Sequence, residues 1–235
     1  MDSTEIRANP GRELIIQVEG QRYGRMPLKT HLITEQDDIA AVAAAYAGEV
    51  IREGDILFLS EKAVACTQGR AIPLEKIHPR RLARFLAGFV TKTPHGIGLG
   101  MPETMEMALR ECGTPRILLA AAAGAAGRLL GRRGWFYRVA GQKAASIDGP
   151  TPNTIPPYHR CVVLGPKDPD QVARTVSGRL GIPVLVVDLN DLGGVILGVS
   201  HKELDHRWLL RLLGDNPLGQ CREQTPMGIL RPCGG

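Results

Sequence analysis

The chain has 235 residues, of which 43% are hydrophobic, 23% charged and only 4% aromatic; 29 Lys and Arg face 24 Asp and Glu, a formal net charge of +5. A chain of this length buries a full core, which excludes a disulfide-stapled miniprotein and a disordered segment. The mild basic balance suits an enzyme of anionic small molecules as well as a nucleic-acid binder, but single-strand binding asks for clustered aromatic rings. One such cluster, Trp135, Phe136 and Tyr137 beside Arg128, Arg132 and Arg133, reads more plainly as an amphipathic strand at a sheet edge or dimer seam, so nucleic acid is the weakest partner class.

Residues 1–30 predict a short two-stranded start, with ELIIQVEG (13–20) alternating polar and apolar positions. A helix is expected over 35–49, with Thr34 as N-cap and acidic residues in its first turn. The turn at Gly54 and Asp55 leads into ILFLS (56–60), a buried strand. HPRRLARFLAGFV (78–90) and ETMEMALREC (103–112) read as helices, and the small-residue run 117–127 as core packing in either helical or strand form. Further on come a strand at 161–165, a helix at 168–181 with Asp168 near its N-cap and Gly181 at its end, and a buried strand PVLVVD (183–188). A glycine-rich turn into a strand (191–200), a helix (201–213) and a last strand (225–231) complete a mixed α/β, or α+β, architecture.

Five scattered cysteines without a C-x-x-C pair suggest reduced thiols, and the polar N-terminus carries no apolar signal core. The most apolar run, 117–127, is about half the ~20 residues of a membrane span. These features predict a soluble cytoplasmic protein with no membrane partner.

The scan for familiar chemistry is mostly exclusion. There is no P-loop, H-E-x-x-H or G-x-S-x-G, and GIGLGM (96–101) follows no apolar strand and reads as a loop. The six histidines show no metal-ligand spacing. Carboxylates are more promising. Asp188 ends an apolar strand, where open α/β sheets bind ligands, and Asn190, Asp191 and two glycines follow it. Magnesium or manganese takes hard oxygen donors of this kind together with substrate phosphates. Asp148 lies in a proline-stiffened loop with Asn153 and Thr154, and Lys62 stands just past the strand ILFLS. A turn-forming aspartate and a solvated lysine are the ordinary alternatives.

Three segments together carry a resemblance. GDILFLSEKAVACTQGR (54–70) has the form G-D-(apolar)4-x-x-K-x-V-x-x-x-x-G-R, LGPKDPDQVARTV (164–176) precedes an apolar strand ending in Asp, and LGQCREQTPMGILR (218–231) closes the chain. In their order and spacing they resemble the coenzyme F-420 gamma-glutamyl ligase family. The resemblance implies a two-lobed mixed α/β fold forming one ligase-like unit without a separable linker, an N-terminal extension of about 1–29, and a homodimer. It implies GTP (or ATP) as co-substrate and a divalent metal, Mg2+ or Mn2+, used to join a carboxylate to the amino group of glutamate. Carried onto this sequence, Asp148, Asp188 and Gln220 would bind metal, and Asn153, Glu61, Lys62, Thr30, His31, Leu32 and Ile33 would meet the nucleotide. Lys62 and Asp188 would serve the phosphoryl transfer.

The chain departs from the family pattern at chosen points. A second lysine four residues beyond Lys62 is here Cys66, and the threonine after the metal aspartate is Leu189. Asp191 is the expected substitute at the metal. These changes suit a divergent paralogue with another acceptor, or a non-catalytic nucleotide- or metabolite-binding protein.

Overall fold

The computed structural model describes residues 6–90, 98–132, 134–191, 193–219 and 221–233. The chain forms two compact units, one from Met1–Gly69 with Pro166–Gly235 and the other from Arg70–Gly165. The mixed α+β class expected from the alternating pattern is the one observed.

In the first unit, β1 (Ile15–Val18) and β2 (Gln21–Leu28) form an antiparallel hairpin. Its turn puts Glu19 and Gly20 at positive φ, as the tight hairpin turns that match strand twist require. Helix α1 (Ile39–Ala47) is capped by Asp38, whose carboxylate accepts from the Ala41 N–H at 2.7 Å. The helix thus starts later than the periodicity suggests, and Thr34 is not its cap. Asp37 is the reason: it accepts from both the N–H and the hydroxyl of Thr34, closing residues 34–37 as a separate turn. Strand β3 (Ile56–Ser60) runs directly into α2 (Glu61–Thr67), with no intervening loop.

The second unit opens with β4 (Ala71–Pro73) and α3 (Arg81–Ala87) and continues through α4 (Pro102–Cys112), α5 (Thr114–Leu129), α6 (Trp135–Ala140) and α7 (Gln142–Ala145). It ends at β5 (Cys161–Val163), antiparallel to β4. Leu99, Met105, Leu109, Ile117, Ala120 and Val162 centre its core. The small-residue run is helical, and its glycines admit aromatic rings: a Cβ on Gly127 would come within 3.0 Å of the Trp135 ring. The Trp-Phe-Tyr cluster is therefore a helix packed on α5, not an edge strand. Glu106, buried in α4, accepts from the Arg80 backbone N–H and guanidinium and from Arg110. Burial pushes the pKa of this carboxyl up, but the bonds from Arg80 and Arg110 outweigh it and hold the pKa below the ordinary value.

Back in the first unit, α8 (Pro169–Leu180) ends at Gly181 in the left-handed region, as predicted. Asp168 occupies the N-cap position at positive φ without making a side-chain cap. Strands β6 (Val184–Asn190) and β7 (Gly193–Val199) pair antiparallel; β6 continues two residues past Asp188, so that residue lies within the hairpin rather than at the strand's last position. Helix α9 (His206–Leu213) starts after Asp205, which caps the N–H groups of Arg207 and Trp208. Strand β8 (Met227–Cys233) completes a six-stranded sheet of order β1-β2-β8-β3-β6-β7, in which β3 and β6 are parallel and the other neighbours antiparallel.

Strand alternation divides this sheet's two faces. Phe58, Leu185, Val187 and Leu230 pack with Leu209, Leu212 and Leu213 of α9. Leu57, Leu59, Val184 and Val186, all fully buried, take the opposite face, where α2 and α8 lie against β6. Two glycines make close approaches. A Cβ on Gly228 would sit 2.4 Å from the Phe58 ring, and one on Gly198 would fall 2.3 Å from the backbone of Pro169. That second contact seats the start of α8 on β7, where the Asp170 carboxylate accepts from the Val199 N–H at 2.8 Å.

Candidate functional site

The register of the first unit's sheet brings several of the candidate residues to one end. Leu28 of β2 is opposite Met227 of β8, Met227 is opposite Leu59 of β3, and Leu59 is opposite Val186 of β6. Just beyond this row, β2 releases residues 30–33, β3 releases Glu61 and Lys62, and β6 reaches Asp188. Segments far apart in sequence thus leave the sheet at one level, outside the carboxyl ends of two parallel strands. Ligands of α/β sheets bind at such ends.

Thr30 is buried and tied to the approach to β8: its N–H donates to the Gln224 carbonyl at 3.2 Å, and the Gln224 amide donates back to the Thr30 carbonyl at 2.7 Å. Beside it, the Ser60 N–H donates to the Pro226 carbonyl at 2.8 Å. His31 is exposed, Leu32 half-buried and Ile33 buried. The His31 ring is held from both sides, with Nε2 2.9 Å from Asp37 and Nδ1 3.0 Å from the Tyr46 hydroxyl, which also accepts the His31 N–H. The Thr34 N–H, and next the His31 ring, hold the Asp37 carboxyl below its ordinary pKa, so it stands as an acceptor.

Glu61 is buried and Lys62 exposed in the first turn of α2, and Cys66 is buried one turn later. Asp188 is half-buried. Its neighbour Leu189 packs with the α9 cluster, so alternation turns Asp188 to the opposite face, the one α2 covers. Asp191, exposed in the β6–β7 turn, pairs with the Arg12 guanidinium.

The other candidates belong to the second unit or fall outside the described residues. Asp148 is half-buried and exchanges backbone hydrogen bonds with Val163 at 2.8 and 2.9 Å. Asn153 is exposed in a turn closed by Thr151 and Thr154. Gln220 lies outside the described residues, as do the first two positions of GIGLGM. Among the described residues no group of three or more His, Cys, Asp or Glu side chains stands together as a metal cluster. Sequence reasoning missed Asp37, Tyr46 and Gln224 as partners of residues 30–31, because His31 meets Asp37 and Tyr46, and Thr30 meets Gln224, only in the folded chain. It also missed Arg12, although Asn-Pro-Gly-Arg is a legible turn signal.

These features define a mixed α+β protein that gathers a lysine and a carboxylate at the carboxyl ends of adjacent parallel strands. The family model described as F420-0:Gamma-glutamyl ligase matches residues 27–188, more than half of the chain. The protein belongs to this family of ligases, which act on the small molecules F420-0 and glutamate. Comparison with curated proteins finds no match. The matched range includes residues 30–33, Glu61, Lys62, Asp148, Asn153 and Asp188, while Arg12, Asp191 and Gln220 lie outside it. No described helix is long and apolar enough to cross a membrane.

Proposed function

We propose that the protein is a metal- and nucleotide-dependent amide ligase, joining a glutamate-like amino acid to a small-molecule carboxylate through an acyl phosphate. The observation that carries this reading is the register that sets Asp188 level with Glu61 and Lys62, within the family-matched residues. A carboxylate is a poor electrophile. Its oxygen first attacks the γ-phosphorus of GTP or ATP, and the bond to the β-phosphate oxygen breaks to release the nucleoside diphosphate. The amine nitrogen then attacks the acyl carbon, the tetrahedral adduct collapses, and phosphate departs as the nitrogen gives up a proton.

Phosphoryl transfer of this kind depends on positioning and charge neutralisation. Lys62 supplies a cation for the phosphates. Residues 30–33, namely Thr30, His31, Leu32 and Ile33, contact the nucleotide with Glu61 and Asn153. Hard oxygen donors suit Mg2+ or Mn2+, which often binds through only one or two carboxylates beside substrate phosphates. Asp188 fits that requirement, and Asp148, Asp191 and Gln220 are the further donors in this reading. The bound ion would neutralise charge on the transferring phosphoryl group. The same reading makes the protein a cytoplasmic homodimer.

The test is phosphate release measured with GTP or ATP, Mg2+ or Mn2+, and a panel of carboxylates and amino acids. Release that needs metal, nucleotide and both acceptors supports a ligase; release unchanged by Asp188→Asn removes the site assignment. The burial of Cys66, where the family pattern has lysine, favours a second reading: a paralogue that binds nucleotide without turning it over. That reading requires nucleotide binding with no metal-dependent phosphate release.

A further inference from the structure

We propose that Arg12, on the segment preceding the family-matched residues, is a phosphate-binding residue of the same site, oriented by Asp191. The inference rests on the ligase reading and deepens it. Its origin is a local turn. Asn9, Pro10, Gly11 and Arg12 form a β-turn closed by the Arg12 N–H on the Asn9 carbonyl at 3.0 Å, with Gly11 at φ +72° as a type II turn after proline demands.

The turn is anchored at the site's end of the sheet. Asn9 is buried, and its amide donates at 2.9 Å to both the Pro217 carbonyl and the Thr225 hydroxyl, one residue before the Pro226 carbonyl that Ser60 engages. At the other end of the turn Arg12 pairs with Asp191, between β6 and β7. In strand order β3 lies between β8 and β6, so the turn ties together segments on either side of the strand that releases Lys62.

The guanidinium is incompletely used. It has five N–H donors in a planar fork, and Nη2 meets Asp191, yet the buried Nε–H has no acceptor among the described residues. A buried donor without an acceptor is costly. Arg25 also has an unpartnered Nε, but it differs in setting. Arg25 is 1% exposed and spends its terminal nitrogens on Asp215 and on the Leu212 and Glu13 carbonyls, as a core brace. The Arg12 side chain is less enclosed, at 19% exposure, and its partner Asp191 is exposed. A phosphoryl oxygen is an acceptor that such a fork can match. Arg12 thereby returns a cation to a site whose α2 carries Cys66 in place of the family's second lysine.

Equilibrium titration with GTP and with tripolyphosphate tests this, with Tm as a readout of folding and without recourse to turnover. Arg12→Gln is expected to weaken both probes about ten-fold or more. Arg12→Lys, which keeps the charge but lacks the Nε–H, is expected to weaken them by a smaller factor. Wild-type affinity in Arg12→Gln overturns the proposal while leaving the ligase reading intact. If Arg12→Gln does not fold, wild-type affinity in Arg12→Lys overturns it instead. Failure of the wild-type chain to bind either probe overturns the ligase reading and this proposal with it.

Discussion

Ser60 at the end of β3 lies opposite Val187 of β6 in parallel register, which sets Asp188 level with Glu61, the first residue of α2. One residue of slip would turn the aspartate to the α9 face, because side chains alternate along a strand. The site therefore depends on the sheet's apolar packing as much as on its polar residues.

Asp188→Asn keeps the shape of that side chain and removes its charge. Metal-dependent phosphate release should fall about 100-fold or more, with little change in Tm because the residue is half-buried. Chelation of divalent ions should have the same effect on the wild-type chain, reversed by added Mg2+ or Mn2+.

Asp37→Asn takes the carboxylate from His31 Nε2 and from the Thr34 N–H. The ring then loses one of its two holds, the other being Tyr46. The expected outcome is a KM for nucleotide several-fold higher with kcat little changed, the signature of lost uniform binding. An unchanged KM in both Asp37→Asn and His31→Ala would detach residues 30–33 from the nucleotide.

Gly198→Ala forces a methyl group toward the backbone of Pro169 and Asp170, at 2.3–2.6 Å before relaxation. Overpacking of this kind costs about 1–3 kcal/mol. Urea unfolding should show the midpoint lowered, since neither rigid backbone can withdraw as a flexible side chain would.

Glu106 is the pH-sensitive brace of the second unit. Its pKa is lowered on folding, with burial opposing and the Arg80 and Arg110 bonds prevailing. Its contribution is thus complete above the ordinary glutamate value of 4.5 and is lost as pH falls through the lower folded value. Glu106→Gln should destabilise the protein at neutral pH by about 1–2 kcal/mol, because the buried carboxylate is lost while the two half-exposed arginines regain water. The gap between variant and wild type should narrow below pH 4.5, measured as Tm against pH.

Features written in contiguous residues are legible in the sequence alone. The strand ILFLS, the apolar run to Asp188 and the Gly181 helix end each follow from periodicity or from one residue's conformational freedom. Helix starts are less legible. Thr34 and Asp38 are both acceptable caps, and Asp37 decides between them, because its bonds with Thr34 form a turn that excludes the earlier start. The aromatic cluster misleads because six residues fit a strand or a helix equally well until Gly124 and Gly127 of α5 provide the surface it packs on.

The sequence by itself determined the mixed α+β class, the buried strands, and the ligase family through the spacing of Lys62, the 164–176 segment and Asp188. Those signals are local, carried by alternation, caps and short motifs. Only the tertiary structure decided that β8 inserts between β2 and β3, that residues 30–33, Lys62 and Asp188 emerge at one level, and that Arg12 reaches Asp191. The physical reason is that strand neighbours are joined by backbone hydrogen bonds, which every residue but proline can make in the same way. Which strands meet is settled by the core that their buried faces complete, here Phe58 against Gly228 and the leucines of α9, and no short window of sequence contains that core.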